Sequence, residues 1–165
     1  MLKIEYRKAV DLTPYENNSR THSKEQVDQI VESIKEFGFT NPILVDEKGG
    51  VIAGHGRLEA AQRLSLEEVP TITLEGLSEA QKRAYVIADN KLALNAGWDY
   101  ERLRAEIEAL EGLDFDTRLL GFTHEELLEL IGEPAEIDAP EDFKEVGEES
   151  LAHRCPKCGY EFDDV

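Results

Sequence analysis

The sequence predicts an α/β protein of the α+β kind: a small mixed sheet with surrounding helices, then a helical appendage and a tail that looks like a zinc knuckle. Three observations lead there. Short apolar runs of strand type alternate with helical periodicities through the first hundred residues. One apolar run passes straight into a helix through glycines, in "GGVIAGHGRLEAAQRL", residues 49–64. Beyond Trp98 the pattern changes to short amphipathic helices, followed by an acidic stretch with two prolines.

The elements follow in order. "LKIEYRKAVDL" alternates loosely and reads as a first strand. "TPYENNSRTH" is a polar loop. Ser23 caps a helix, with Gln26 at capping-box spacing. Val27, Ile30, Val31, Ile34 and Phe37 recur every three or four residues, which predicts one buried face, and Gly38 ends the helix. "NPILVDE" and "VIA" are strands around a "KGG" turn. A helix through Leu64 comes next, and "VPTITL" is a further strand. Ser78 and Gln81 open a second capping-box helix, "SEAQKRAYVIADNKLA". "YERLRAEIEAL" and "THEELLELIG" are two short helices, the second with Thr123 and Glu126 at the same capping-box spacing. The predicted organisation is a domain over 1–98, a helical appendage over 99–132, an acidic mobile linker over 133–150 and the tail over 151–165.

Composition narrows the classes. The chain has 165 residues and a formal net charge of −18, which argues against plain nucleic-acid binding. The excess is uneven: residues 1–100 hold 16 acids and 12 bases, residues 101–165 hold 20 acids and 6 bases. A local basic patch is therefore compatible with the first part. No stretch approaches the roughly 18 apolar residues of a membrane span. The opening "MLKIEYRKAV" has mixed charge, unlike a signal peptide. The 2 cysteines are too few for a disulfide framework. The expectation is a soluble cytoplasmic protein that does not engage membranes.

The Gly-His-Gly-Arg joint carries the chemistry. A helix N-terminus offers free backbone N–H groups and the positive end of the macrodipole. Gly54 and Gly56 let a ligand approach the backbone. Arg57 in the first turn opposes the dipole, and makes sense with an anion between them. His55 adds a donor or a titrating group. A tight turn with a surface arginine is the other reading. "GHGRLE" is neither a Walker loop nor a dinucleotide fingerprint, because Glu59 stands where a third glycine belongs.

The stretch "NNSRTHSKEQVDQIVESIKEFGFTNPILVDEKGGVIAGHGRLEAAQRLSLEEVPTITL", continued by "LSEAQKRAYVIADNKLALNAGWD", resembles the N-terminal domain of ParB-like proteins, in the ParB/sulfiredoxin superfamily. "VIAGHGRLEAA" and "IADNKLA" are its most specific parts. More narrowly it resembles ParB-like domains of phages and mobile elements, found beside or fused to DNA methyltransferases. The resemblance implies a nucleoside triphosphate, CTP or ATP, with its phosphates at the strand–helix loop. Gly54, Arg57 and Ala60 match the loop of segregation-type ParB, Gly-Glu-Arg-Arg-x-Arg-Ala. His55, Gly56 and Glu59 depart from it. Asp89 and Asn90 match a later acid–amide pair that holds Mg2+, and Ala93 replaces the arginine of that motif. Arg20, with His22 and Asn17, would form a second wall of the pocket. The reading of Asp89 and Asn90 as ordinary helix-end residues stays open beside this.

Three functions are carried forward. The first is a ParB-like nucleotide-binding module in DNA metabolism, with DNA or a DNA-modifying enzyme such as a methyltransferase as partner, a homodimer being compatible, and hydrolysis following binding. The second is metal-dependent DNA cleavage. For either reaction His55 and Asp89 are the candidate catalytic groups. The third is an acidic protein-interaction or DNA-mimic factor with a vestigial nucleotide site. Sulfinic-acid repair is disfavoured, since His55 stands where sulfiredoxin has its cysteine. A helix-turn-helix is not expected after Trp98, because that part is short and acidic. In the tail, Cys155 and Cys158 form Cys-Pro-x-Cys-Gly, half of a tetrahedral Zn2+ site, with His153 as a third candidate ligand. A free dithiol is the alternative.

Overall fold

The computed structural model describes residues 2–132 together with 153–154, 157 and 161–162. Residues 1–131 form one compact unit and 132–165 a second. The first unit contains a four-stranded mixed sheet and five helices. Strand β1 (Ile4–Lys8) is an edge strand, antiparallel to β4 (Glu68–Thr73). Strand β2 (Ile43–Val45) runs parallel to β4, and β3 (Val51–Ala53) closes the sheet antiparallel to β2. The order is β1-β4-β2-β3. Pro70 lies in β4 before the β2 ladder begins at Thr71, so it sits where β4 has a strand partner on one side only. The fully buried Thr71 hydroxyl donates to Glu5 O at 2.8 Å, so the core carries no orphan there.

Helix α2 (His55–Arg63) leaves β3 directly. Leu58 and Ala61 pack on the sheet with Ile43, Val45, Val51, Val69, Ala9 and Leu12. Ala60 faces α1 (Lys24–Phe37), against Val27 and Val31. The small alanines let α2 sit between sheet and helix. Phe37 departs from the expected buried face of α1: it is 50% exposed and stacks on Phe115 instead. The first strand also stops earlier than its pattern suggests, because Ala9–Asp11 turn as a 3-10 helix that buries Ala9 and leaves Val10 in solvent.

Helix α3 (Glu79–Ala93) opens with the expected Ser78–Gln81 capping box. At Ser23 only half of the expected box forms. The serine accepts from Gln26 N, but the Gln26 side chain bonds His22 instead. Helices α4 (Tyr100–Glu111) and α5 (His124–Ile131) follow, with Ile107 and Leu127 buried and Thr123–Glu126 bonded reciprocally. Between them Thr117–Leu120 form a 3-10 helix that the sequence pattern does not reveal. The appendage packs on α1 within the same unit, and Gln29 Nε2 donates to Gly121 O at 3.1 Å.

In the second unit β5 (His153–Arg154) pairs antiparallel with β6 (Glu161–Phe162). The expected linker over 133–150 and the zinc candidates Cys155 and Cys158 lie outside the described residues, as does the His153 side chain. Among the described residues, no helix is long and apolar enough to cross a membrane.

Candidate functional site

The N-terminus of α2 differs in its capping from α1, α3 and α4. Those start on Ser23, Ser78 and Asp99, whose side chains accept from the first turn. Helix α2 starts on Gly54, at φ 100° and ψ 27°, and no side chain caps it. That left-handed turn suits glycine, and a Cβ there would meet Arg57 Nη2 at 2.9 Å. The first-turn N–H groups therefore remain available to something outside the helix.

They open into a cleft of about 210 Å3 lined by Asn18, Arg20, His22, Gln26, Ile30, Gly54, His55, Gly56, Arg57, Asp89 and Asn90. Every nucleotide-site candidate from the first unit is in this wall: Arg20 from the polar loop, Gly54 to Arg57 from the joint, Asp89 and Asn90 from α3. Asn17 is not; it lines a neighbouring hollow of about 300 Å3 with Thr13, Tyr15 and Lys82. His22 is in the wall, and Asn18, Gln26 and Ile30 join it without having been foreseen. The signal for Gln26 was masked by its capping-box spacing, which gave it another role.

Arg57 is held and incomplete at once. Nη2 donates to Pro42 O at 3.3 Å, while Nε is buried without a hydrogen-bond partner. An unpartnered buried N–H costs about 1–3 kcal/mol, so its persistence suits a group that an anion completes. Burial pushes the guanidinium below its ordinary value, and the nearby Asp89 charge opposes that. It stays cationic at neutral pH. Arg7, Arg63, Arg102 and Arg118 all hold carboxylates. Arg20, Arg57, Arg83 and Arg104 take part in no ion pair among the described residues, in a chain with twice as many acids as bases, and of these Arg20 and Arg57 line the cleft.

His55 Nε2 accepts the Tyr15 N–H at 3.2 Å. The neutral ring therefore carries its proton on Nδ1, and only Nδ1–H is left as a donor. Burial lowers the His55 pKa, and the charge of His22 lowers it further. Asn90 Nδ2 donates to Val86 O at 2.8 Å, which leaves Oδ1 as the atom free for a cation. Asp89 is exposed near the C-terminal end of α3, where the dipole disfavours an acid. Arg57 and Asp89 thus each sit against the dipole of their own helix and line the same cleft. Among the described residues no group of three or more His, Cys, Asp or Glu is gathered for a metal. Asp89 and Asn90 make at most a partial site, which suits Mg2+ sharing its coordination with phosphate oxygens and water.

Size limits the occupant. About 210 Å3 is below the roughly 300–1,000 Å3 of whole-ligand pockets, so the cleft suits a polyphosphate rather than a complete nucleotide. A further hollow of about 370 Å3 shares Gln26, Ile30 and Arg57 with the cleft.

Comparison with known proteins gives this geometry a family. The ParB N-terminal domain matches residues 5–91. A ParB-methyltransferase HTH domain matches residues 101–152, which corrects the expectation that no helix-turn-helix follows Trp98. Shortness and acidity were the wrong criteria, since such a motif is defined by helix spacing rather than net charge. The ParB-like nuclease domain-containing protein YnaK of Escherichia coli is 60% identical over 82 residues, 50% of this chain and 94% of that protein. A probable plasmid-partitioning protein ParB of Thermus thermophilus is 39% identical over 69 residues, 40% of this chain but 23% of that protein. The C-terminally truncated chromosome-partitioning protein ParB from Caulobacter crescentus, complexed with CTP-gamma-S, has the same fold. Its TM-score is 0.58 at 23% identity, covering 79% of this chain and 72% of that one. With more than half of its length matched by the domain model, the chain belongs to the ParB N-terminal domain family.

Proposed function

We propose that this protein is a ParB-like nucleotide-binding module acting in DNA metabolism. In this reading the polyphosphate of a nucleoside triphosphate lies on the uncapped first turn of α2. Arg57 and Arg20 meet its charge. Asp89 and the Oδ1 of Asn90 hold Mg2+ together with phosphate oxygens. The observation that carries the reading is the pair of arginines without carboxylates, one with a buried orphan N–H, around a polyphosphate-sized cleft. The nucleotide analogue in the Caulobacter ParB complex supports the ligand class, with CTP and ATP as the candidates. The helix-turn-helix match supports DNA, or a DNA-modifying enzyme such as a methyltransferase, as partner. Hydrolysis would draw on a water held near Asp89 and its metal, while His55, whose Nε2 is engaged, would serve as a hydrogen-bond donor through Nδ1–H to a phosphate oxygen.

The test is titration of CTP, ATP, GTP and UTP with and without Mg2+. Saturable Mg2+-dependent binding is expected, weakened in Arg57→Ala by about 1.5–3 kcal/mol, the cost of a charge-assisted bond. Asp89→Ala should remove the Mg2+ dependence. No binding to any nucleotide would overturn the reading. Plasmid cleavage with a divalent metal would then favour the nuclease alternative, and salt-sensitive capture of a basic partner the acidic interaction factor. A smaller proposal concerns the tail: His153, Cys155 and Cys158 bind Zn2+, completed by a local group or by a second chain. Metal analysis against a Cys155→Ser, Cys158→Ser variant tests it, and metal-free protein with two reactive thiols rejects it.

A further inference from the structure

We infer that His22 is a phosphate-contacting residue of the cleft, and that Gly56 is a glycine because the His22 ring occupies the space beside it. The inference rests on the nucleotide reading above and deepens it.

Three observations meet at this ring. The first is contact. A Cβ on residue 56 would lie 3.1 Å from His22 Cε1 and 3.2 Å from Nδ1, and 3.0 Å from Ile30 Cδ1. Residue 56 has no need of glycine on backbone grounds, because its φ is not among the positive values of the chain. The side chain is excluded by the imidazole and by Ile30, so the ring packs directly on the first turn of α2. The second is orientation. The Gln26 amide oxygen can only accept, so His22 Nδ1–H donates to it, at 3.0 Å. That bond takes Gln26 away from the capping box its position would otherwise complete. A helix end gives up one reciprocal cap, and the ring gains a fixed tilt. The third is location. His22 lines the cleft with Arg20, Arg57, Asp89 and Asn90.

With Nδ1 committed to Gln26, Nε2 is the remaining polar atom of the ring. The two cleft histidines therefore present different ring atoms to the cleft. His55 accepts an N–H through Nε2 and is held neutral. His22 keeps its Nδ1–H on Gln26 Oε1, and its Nε2 is the atom that meets a phosphate oxygen, through a proton between them. The ligand class is the phosphate group of a nucleoside triphosphate, and the same contact would hold inorganic triphosphate.

The experiment is a double-mutant cycle on the full chain, with CTP, ATP and inorganic triphosphate as titrants. His22→Ala is expected to weaken binding by roughly ten- to a hundredfold, the loss of one charge-assisted bond. Gly56→Ala should cost a similar factor by pushing the ring aside. In the His22→Ala background it should add less, because the ring is gone and only Ile30 Cδ1, the flexible end of a side chain, still meets the new Cβ. The His22 ring resonances should also shift in Gly56→Ala without any ligand, a readout that survives weak binding. Melting curves verify that each variant is folded. If the wild type binds none of the titrants, the nucleotide reading falls and takes this one with it. If the wild type binds and His22→Ala binds equally well, His22 alone is overturned. Additive costs of the two substitutions, or unmoved His22 resonances in Gly56→Ala, would break the claimed link between residues 22 and 56.

Discussion

The two helices that face each other across the cleft are anchored very differently. Helix α2 buries Gly56, Leu58, Ala60 and Ala61, wedged between sheet and α1. Helix α3 is longer, yet Val86 is its only buried residue, and Ile87, Leu92 and the C-cap Leu94 face solvent. The first carries the phosphate candidates, the second the metal candidates. The difference teaches that the anion wall is preformed, whereas the Asp89 wall is held by few contacts and belongs to the low-stability end of the unit.

The largest expected effect tests the anchored side. Leu58 is among the largest fully buried side chains. Leu58→Ala should lower global stability by about 2–5 kcal/mol in urea denaturation. Val86→Ala removes two methyl-sized groups from α3, at most about 1.5 kcal/mol of transfer free energy. Its loss should appear mainly as faster hydrogen exchange in α3, with a nearly unchanged global midpoint. Equal global losses from the two substitutions would break the comparison, because α3 would then be part of the same cooperative core.

The sequence made the anchored side legible and the other side less so. The strand–glycine–helix joint is local: an apolar run, two glycines and a helical period identify it without tertiary information, and Arg57 betrays itself by opposing the dipole. The core of α1 was readable for Val27 and Val31, but Phe37 was not, since its partner Phe115 lies far along the chain. For Asp89 and Asn90 the local pattern was equally that of a helix end, and the family resemblance supplied the site reading. The contact between His22 and Gln26 was hidden for a further reason. The capping-box spacing gave Gln26 a sufficient local role, and only the folded structure reveals that its side chain turned to His22. The match to a ParB-methyltransferase HTH domain was not foreseen because charge was weighed: residues 101–152 hold 17 acids and 4 bases, a poor electrostatic footprint for DNA.

A smaller effect would sharpen what holds α3. Lys82, 15% exposed, bonds Asp46 and Glu79, each at 3.2 Å, and reaches Glu47 at 3.5 Å. Its hydrogen bond to Asp46 chiefly, and then that to Glu79, raises its pKa. Asp46 also accepts the Lys48 and Gly50 N–H groups in the β2–β3 turn, so Lys82 ties α3 to the sheet. Lys82→Met keeps much of the stem and removes the tie. Exchange protection should fall along α3 and stay unchanged in α2. Loss of protection in both helices would mean that the turn, and not α3, depends on Lys82.

The smallest effect separates this tie from the one that holds the loop wall. His55, the first residue of α2, grips the loop through the Tyr15 N–H. Burial first, and the charge of His22 second, set its pKa below the usual 6.5. A lowered histidine pKa means that the unfolded chain takes up the proton first. The stability this group contributes is complete above about pH 6.5 and is lost as pH falls from there to the folded pKa. The Lys82 tie does not weaken in that window. Burial pushes the Asp46 carboxyl up, but its bonds from Gly50 and Lys82 outweigh that and hold it below 3.8. Mild acid should therefore loosen the loop wall and leave α3 in place. Followed by NMR, the Tyr15 amide should titrate together with the His55 ring, with a midpoint below 6.5, while α3 amides stay still. A midpoint at or above 6.5, or a Tyr15 amide that ignores His55, would show that the loop is not held this way.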